Sequence, residues 1–158
     1  MLELNRISAG YGKQTVLDGI SVDFEKGKLT SIIGVNGCGK STLLKAILGI
    51  LSLSSGEITV DGENLLTISR NEIAKKIAYL SQGKNIPDMT VEQMVLHGRF
   101  PYLSYPRRYS SHDREVAIKA MEIVGVAEFA HKPLYSLSGG MRQNAYIAMA
   151  LAQDTDYI

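Results

Sequence analysis

Apolar and polar residues alternate from Leu2 to Ile7, the two-residue period of a half-buried strand, and a second strand pattern runs from Val16 to Phe24. Glu25-Lys26-Gly27-Lys28 reads as a turn. Leu29-Thr30-Ser31-Ile32-Ile33 is then a short apolar strand that runs into glycines. A helical pattern follows from Ser41 to about Ile50. Ser54-Ser55-Gly56 breaks it, Glu57 to Val60 is strand-like, and Asp61-Gly62 closes that strand with a turn. Arg70 to Lys76 predicts a short helix and Ile77-Ala78-Tyr79-Leu80 a buried strand. Thr90 can cap a helix over Val91 to His97, with Glu92 in its first turn. A loop rich in Tyr, Pro and Arg spans Phe100 to Ser111, Asp113 to Val124 is helical up to Gly125, and Ser138 opens a last helix to about Ala152. Tyr157 and Ile158 read as the beginning of another strand. Strands alternating with helices predict an α/β core, with a helical subdomain inserted between Thr90 and Gly139.

Charge and composition narrow the functions open to such a core. With 17 basic and 16 acidic side chains the formal net charge is +1, which argues against a general polyanion binder and for no nucleic-acid partner. A local phosphate site remains open, because a few groups can build one. The single cysteine, Cys38, excludes an internal disulfide framework and fits a reducing compartment. No signal-peptide pattern is read over Met1 to Arg6. The most apolar run, Leu43 to Leu53, is about half the ~20 residues a spanning helix needs, and it carries Lys45. A role at a membrane would therefore require docking onto a spanning partner.

Gly34-Val35-Asn36-Gly37-Cys38-Gly39-Lys40-Ser41 fits the pattern G-x-x-x-x-G-K-[ST], placed after an apolar strand and at the start of a helix. Glycines let the backbone turn sharply and approach a polyphosphate closely. Backbone N–H groups then converge on the phosphates at a helix N-terminus, where the dipole favours anions. Lys40 supplies a mobile positive charge for the β- and γ-phosphates, and the Ser41 hydroxyl can ligate Mg²⁺. Cys38 fills a free position of the loop. About a hundred residues later, Leu137-Ser138-Gly139-Gly140-Met141-Arg142-Gln143 offers a serine N-cap and two glycines that leave first-turn N–H groups exposed. By itself this segment is either a second anion site or an ordinary capped helix.

Together the two segments resemble the ABC ATPase family, whose signature sequence LSGGQ corresponds to Leu137-Ser138-Gly139-Gly140-Met141. Met141 departs from the usual glutamine: it tolerates the glycine geometry but removes a polar side chain. The resemblance runs from residue 1 to 158 and implies a P-loop NTPase core with an N-terminal antiparallel β subdomain and an inserted helical subdomain. The corresponding boundaries are 1–89 for the β subdomain and P-loop core, 90–137 for the helical subdomain, and 138–158 for the signature helix and the start of the next core strand. The implied nucleotide residues are Tyr11, Gly34, Asn36, Gly37, Cys38, Gly39, Lys40, Ser41, Thr42, Ser138, Gly139 and Gly140, with ATP and Mg²⁺ as cofactors. Tyr11 corresponds to the aromatic that stacks on adenine. Gln82 corresponds to the loop glutamine that senses Mg²⁺, acts in catalysis and touches the membrane partner, and only the resemblance singles it out.

His97-Gly98-Arg99-Phe100-Pro101-Tyr102 and the run Ala145 to Thr155 resemble, more finely, the ATPases of importers for iron–siderophore complexes, haem and cobalamin. This implies an ATP-binding subunit at the cytoplasmic face of the cell membrane. Its implied partners are integral-membrane permease subunits, a second ATPase subunit in a head-to-tail homodimer and, indirectly, a solute-binding protein. The alternatives are a non-transport ABC ATPase associated with DNA or ribosomes, and a noncatalytic fragment. His97, His112 and His131 are too scattered to suggest a metal site. In the family, the signature helix leads into an apolar strand ending in Asp-Glu, and a switch histidine follows. Asp154 and Asp156 precede such a run and do not substitute. The expectation is therefore a chain incomplete at its C-terminus, unstable and without ATP turnover by itself.

Overall fold

The computed structural model describes residues 1–81 and 86–158, which form two compact units, Met1–Lys76 with Tyr157 and Ile77–Asp156 with Ile158. Gln82 lies outside the described residues.

The first unit is built on a four-stranded sheet of order β2-β1-β3-β4, from β1 (Leu2–Tyr11), β2 (Gln14–Phe24), β3 (Leu53–Val60) and β4 (Glu63–Asn64). Every pairing in it is antiparallel. The inward face of β1 carries Leu2 and Leu4, then Ile7 and Ala9, so the two-residue period slips by one residue in the middle. Arg6 absorbs the slip with a positive φ of 45°, and both ladders shift register there. A bulge of this kind keeps both apolar pairs on one face, where a plain strand would turn the second pair to solvent. Gly56 of β3 faces the bulge: a Cβ on it would lie 2.3 Å from the Arg6 carbonyl oxygen. Ser54-Ser55-Gly56, expected as a breaker, is therefore part of β3, because a glycine is what lets the backbones approach here. The β3–β4 turn falls on Asp61-Gly62 as the sequence predicts, with φ of 52° and 81° at the two residues.

Helix α1 (Lys40–Ile47) starts in the glycine loop and α2 (Arg70–Lys76) closes the unit. Two predicted strands are not formed as such. Leu29–Ile33 has no ladder partner among the described residues, and Leu29 and Ile33 are 97% and 92% exposed. Ile77–Leu80 reaches no further than a single bridge position at Ile77. An apolar run makes a strand only when neighbours accept its backbone hydrogen bonds, and its own sequence does not supply them. The Tyr157 amide donates to the Lys76 carbonyl at 3.3 Å without extending into a strand.

The second unit packs α3 (Val91–Leu96), α4 (Ser111–Ile123) and α5 (Gly139–Ala152) around Val91, Val95, Met121, Leu134, Ala145 and Ala148. Local chemistry sets the helix starts. The Thr90 hydroxyl accepts from the Gln93 amide at 3.3 Å, and the Gln93 side chain accepts from the Thr90 amide at 2.9 Å, a complete capping box. Ser110 and Asp113 make the same exchange at 3.1 and 2.9 Å, so α4 begins at Ser111, two residues earlier than its apolar pattern suggests. The Asp113 carboxylate also accepts from Arg99 Nε at 3.0 Å, and Arg99 Nη1 donates to the Ala152 carbonyl at the end of α5. Arg99 and Asp113 are only 4% and 6% exposed. Burial alone would raise the Asp113 pKa; the Ser110 hydroxyl and amide and the Arg99 guanidinium outweigh it and hold the carboxyl below its usual range. Among the described residues, no helix is long and apolar enough to cross a membrane.

Candidate nucleotide site

The glycine loop is shaped by backbone conformations that side chains resist. Gly37 and Gly39 take φ of 85° and 96°, and Gly39 serves as the left-handed N-cap of α1. Gly39 also lies against β2: a Cβ there would sit 3.3 Å from Val16 Cγ1 and 3.2 Å from Leu17 Cδ2. No side chain caps the helix start, so its first N–H groups depend on partners outside the usual capping chemistry. Lys40 folds back over the loop. Its ammonium donates to the Gly34 carbonyl at 2.7 Å and the Val35 carbonyl at 2.8 Å, and lies 3.7 Å from Cys38 Sγ. Asn36, Gly37, Cys38 and Ser41 are exposed, whereas Thr42 is buried.

The hairpin tip brings Tyr11 to the same end of the unit. Lys45 Nζ donates to the Tyr11 hydroxyl at 3.3 Å and lies 5.6 Å from the ring centroid. The Thr42 hydroxyl and then the Lys45 ammonium hold the Tyr11 phenol below its ordinary pKa. The structure thus brings together Tyr11, the loop from Gly34 to Gly39, and the Lys40–Thr42 start of α1. Lys45 completes this cluster, although in the sequence it registers only as a charge interrupting an apolar run. The available signal was its spacing: it follows Ser41 by one helical turn.

In the second unit Ser138 is the N-cap of α5, with its hydroxyl accepting from the Met141 amide at 3.3 Å. Ser138, Gly139 and Gly140 are all exposed, and a Cβ on either glycine would meet nothing within 4 Å. Packing among the described residues therefore does not require these glycines. Below the cap, the Arg142 guanidinium donates to the Leu137 carbonyl at 2.9 Å and ties the motif to its own helix. Arg99 and Asp113, absent from the predicted site, are structural: they anchor the 97–102 segment to the end of α5.

A sheet unit with a P-loop and a helical unit whose last helix starts at a Ser-Gly-Gly cap define an ATP-binding cassette. The family described as ABC transporter matches residues 17–158, and this chain belongs to it. Among curated relatives, the petrobactin import ATP-binding protein FpuD of Bacillus anthracis is 40% identical over 99% of this chain and 58% of its own length. The iron(3+)-hydroxamate import ATP-binding protein FhuC of Bacillus subtilis is 39% identical over 99% of this chain and 59% of its own length. The chain thus spans somewhat under three fifths of these relatives. Among solved structures, the ADP conformation of MJ1267, an ATP-binding cassette of an ABC transporter, aligns with a TM-score of 0.83 at 25% identity over 98% of this chain and 65% of that one. The α/β cassette class expected from the sequence is therefore the right one, although the strands paired here are antiparallel.

Proposed function

We propose that this chain carries the two phosphate-gripping elements of an importer's ATP-binding subunit, working at the cytoplasmic face of the membrane beside a permease. The observation that carries the proposal is the pairing of a Lys40-bearing glycine loop with a second, uncovered set of helix-start amides at Ser138–Gly140. Both kinds of site favour anions for the same reason: unsatisfied N–H groups and the helix dipole point at the ligand. The first adds the Lys40 cation. The second has open space where side chains would stand, so a phosphate on another subunit can come close to the backbone.

ATP fits the first element through Tyr11 for the base, the amides of Gly37 to Ser41 for the phosphates, and Lys40 for their charge. Ser41 and Gln82 would hold Mg²⁺, which neutralises developing charge on the phosphates. The protein's own contribution is positioning and electrostatic stabilisation. Two copies arranged head to tail would each supply Ser138, Gly139 and Gly140 to the nucleotide held by the other. The solute class is iron–siderophore, haem or cobalamin, and the names of the relatives support the iron–siderophore choice.

Lys40→Ala in the intact protein is expected to weaken ATP binding on the order of 10–100-fold, the scale of a lost charge-assisted contact. Gly139→Asp is expected to spare ATP binding to the single subunit and abolish the ATP-induced dimer seen by light scattering. Either variant should stop ferric-siderophore uptake in cells. Wild-type ATP affinity in Lys40→Ala would overturn the assignment of the first element. An unimpaired dimer in Gly139→Asp would overturn that of the second.

A further inference from the structure

We infer that Lys45 is a positioning residue for nucleotide-base recognition: it grips Tyr11 by the hydroxyl edge and holds the ring so that its faces stay open to a planar base. The inference rests on the reading of Tyr11 as the base platform and adds the residue that makes that platform rigid.

The geometry distinguishes an edge grip from a stacked cation. The Lys45 ammonium is 3.3 Å from the Tyr11 hydroxyl oxygen but 5.6 Å from the ring centroid. It therefore sits beyond the phenol edge and covers neither face. Tyr11 is 48% exposed at the tip of the β1–β2 hairpin, next to Gly12 with its φ of 58°. A tyrosine so placed would otherwise sample several rotamers, and ordering it on binding would cost affinity. Lys45 lies on α1 three residues after Thr42 and four after Ser41, so the helix that opens at the phosphate loop also sets the ring's place. Thr42, buried on the same helix, bears on the same phenol and contributes to its lowered pKa. A single rigid element therefore sets the spacing between the phosphate end and the base end of the site. Lys45 itself is exposed, so its replacement leaves the core untouched.

The test compares ATP with inorganic tripolyphosphate, which has the phosphates without the base, using the intact protein. Lys45→Met is expected to weaken ATP about three- to tenfold, the scale of one exposed cation contact and its ordering effect, and to leave tripolyphosphate affinity unchanged. Lys45→Arg, which keeps a donor and a charge within reach of the phenol, should restore ATP binding. Tyr11→Ala separates the two levels of the argument. If it also leaves tripolyphosphate unchanged and weakens ATP, Tyr11 is the base platform; if ATP affinity is unaltered, that reading fails. If Tyr11→Ala weakens ATP while Lys45→Met binds ATP like wild type, the positioning role fails and the platform stands. An equal loss of ATP and tripolyphosphate in Lys45→Met would make Lys45 a phosphate charge and also overturn the inference.

Discussion

The two units of the chain satisfy their backbones in different ways. The helical unit closes upon itself: three helix starts have side-chain caps at Thr90, Ser110 and Ser138, and their apolar faces meet in one core. The sheet unit closes around β1, yet leaves Leu29 and Ile33 in solvent just before its glycine loop, and Val35 in solvent within it. Helical hydrogen bonds and caps are made within a few residues, so a helical segment carries most of its own requirements. A strand depends on neighbours that can be distant in sequence. The exposed run leads directly into the glycine loop, while the Ser138 cap sits at the exposed start of a helix whose alanine face is buried in the core.

The sharpest challenge to this contrast is the buried pair in the helical unit. Asp113→Ala should destabilise that unit by about 3–5 kcal/mol, because it leaves the Arg99 charge buried without its carboxylate and also removes the Asp113 half of the α4 capping box. Chemical denaturation would measure the loss. The effect should shrink in acid. The Asp113 carboxyl is held below its ordinary value, so the stabilisation is fully present above the unfolded pKa of about 3.9 and disappears as pH falls through the folded one. A gap between wild type and Asp113→Ala that persists undiminished well below that range would disconnect the pair from the stability of the unit.

Core packing comes next. Leu134→Ala, at a fully buried position, should cost about 2–5 kcal/mol, whereas Ile33→Ser should cost less than about 0.5 kcal/mol in the 158-residue chain. Comparable losses at the two positions would break the contrast, since they would mean that Ile33 is covered. The loss at the signature cap should be smaller than either loss in the helical core. Ser138→Ala removes the acceptor for the Met141 amide and should lower stability by about 1 kcal/mol, read as a modest drop in Tm. A larger drop would assign Ser138 more than local capping.

The glycine loop, the Ser138 cap, the Asp61-Gly62 turn and the helix at Arg70–Lys76 were legible in the sequence because each depends on residues a few positions apart. The Gln93 half of the α3 cap could have been read the same way, three residues after Thr90. The β-bulge at Arg6 and the need for Gly56 opposite it could not, because the two positions meet only across the sheet.

The amino-acid order alone therefore determined where the backbone can turn, where helices can start, and which residue types could grip a phosphate, since these follow from φ freedom, capping and charge over short range. Tertiary structure decided that the apolar run at Leu29 finds no ladder among the described residues, that Arg99 is buried against Asp113, and that Lys45 reaches Tyr11. Those outcomes depend on which distant segments arrive as neighbours, and contact between segments far apart in the chain is a property of the packed molecule.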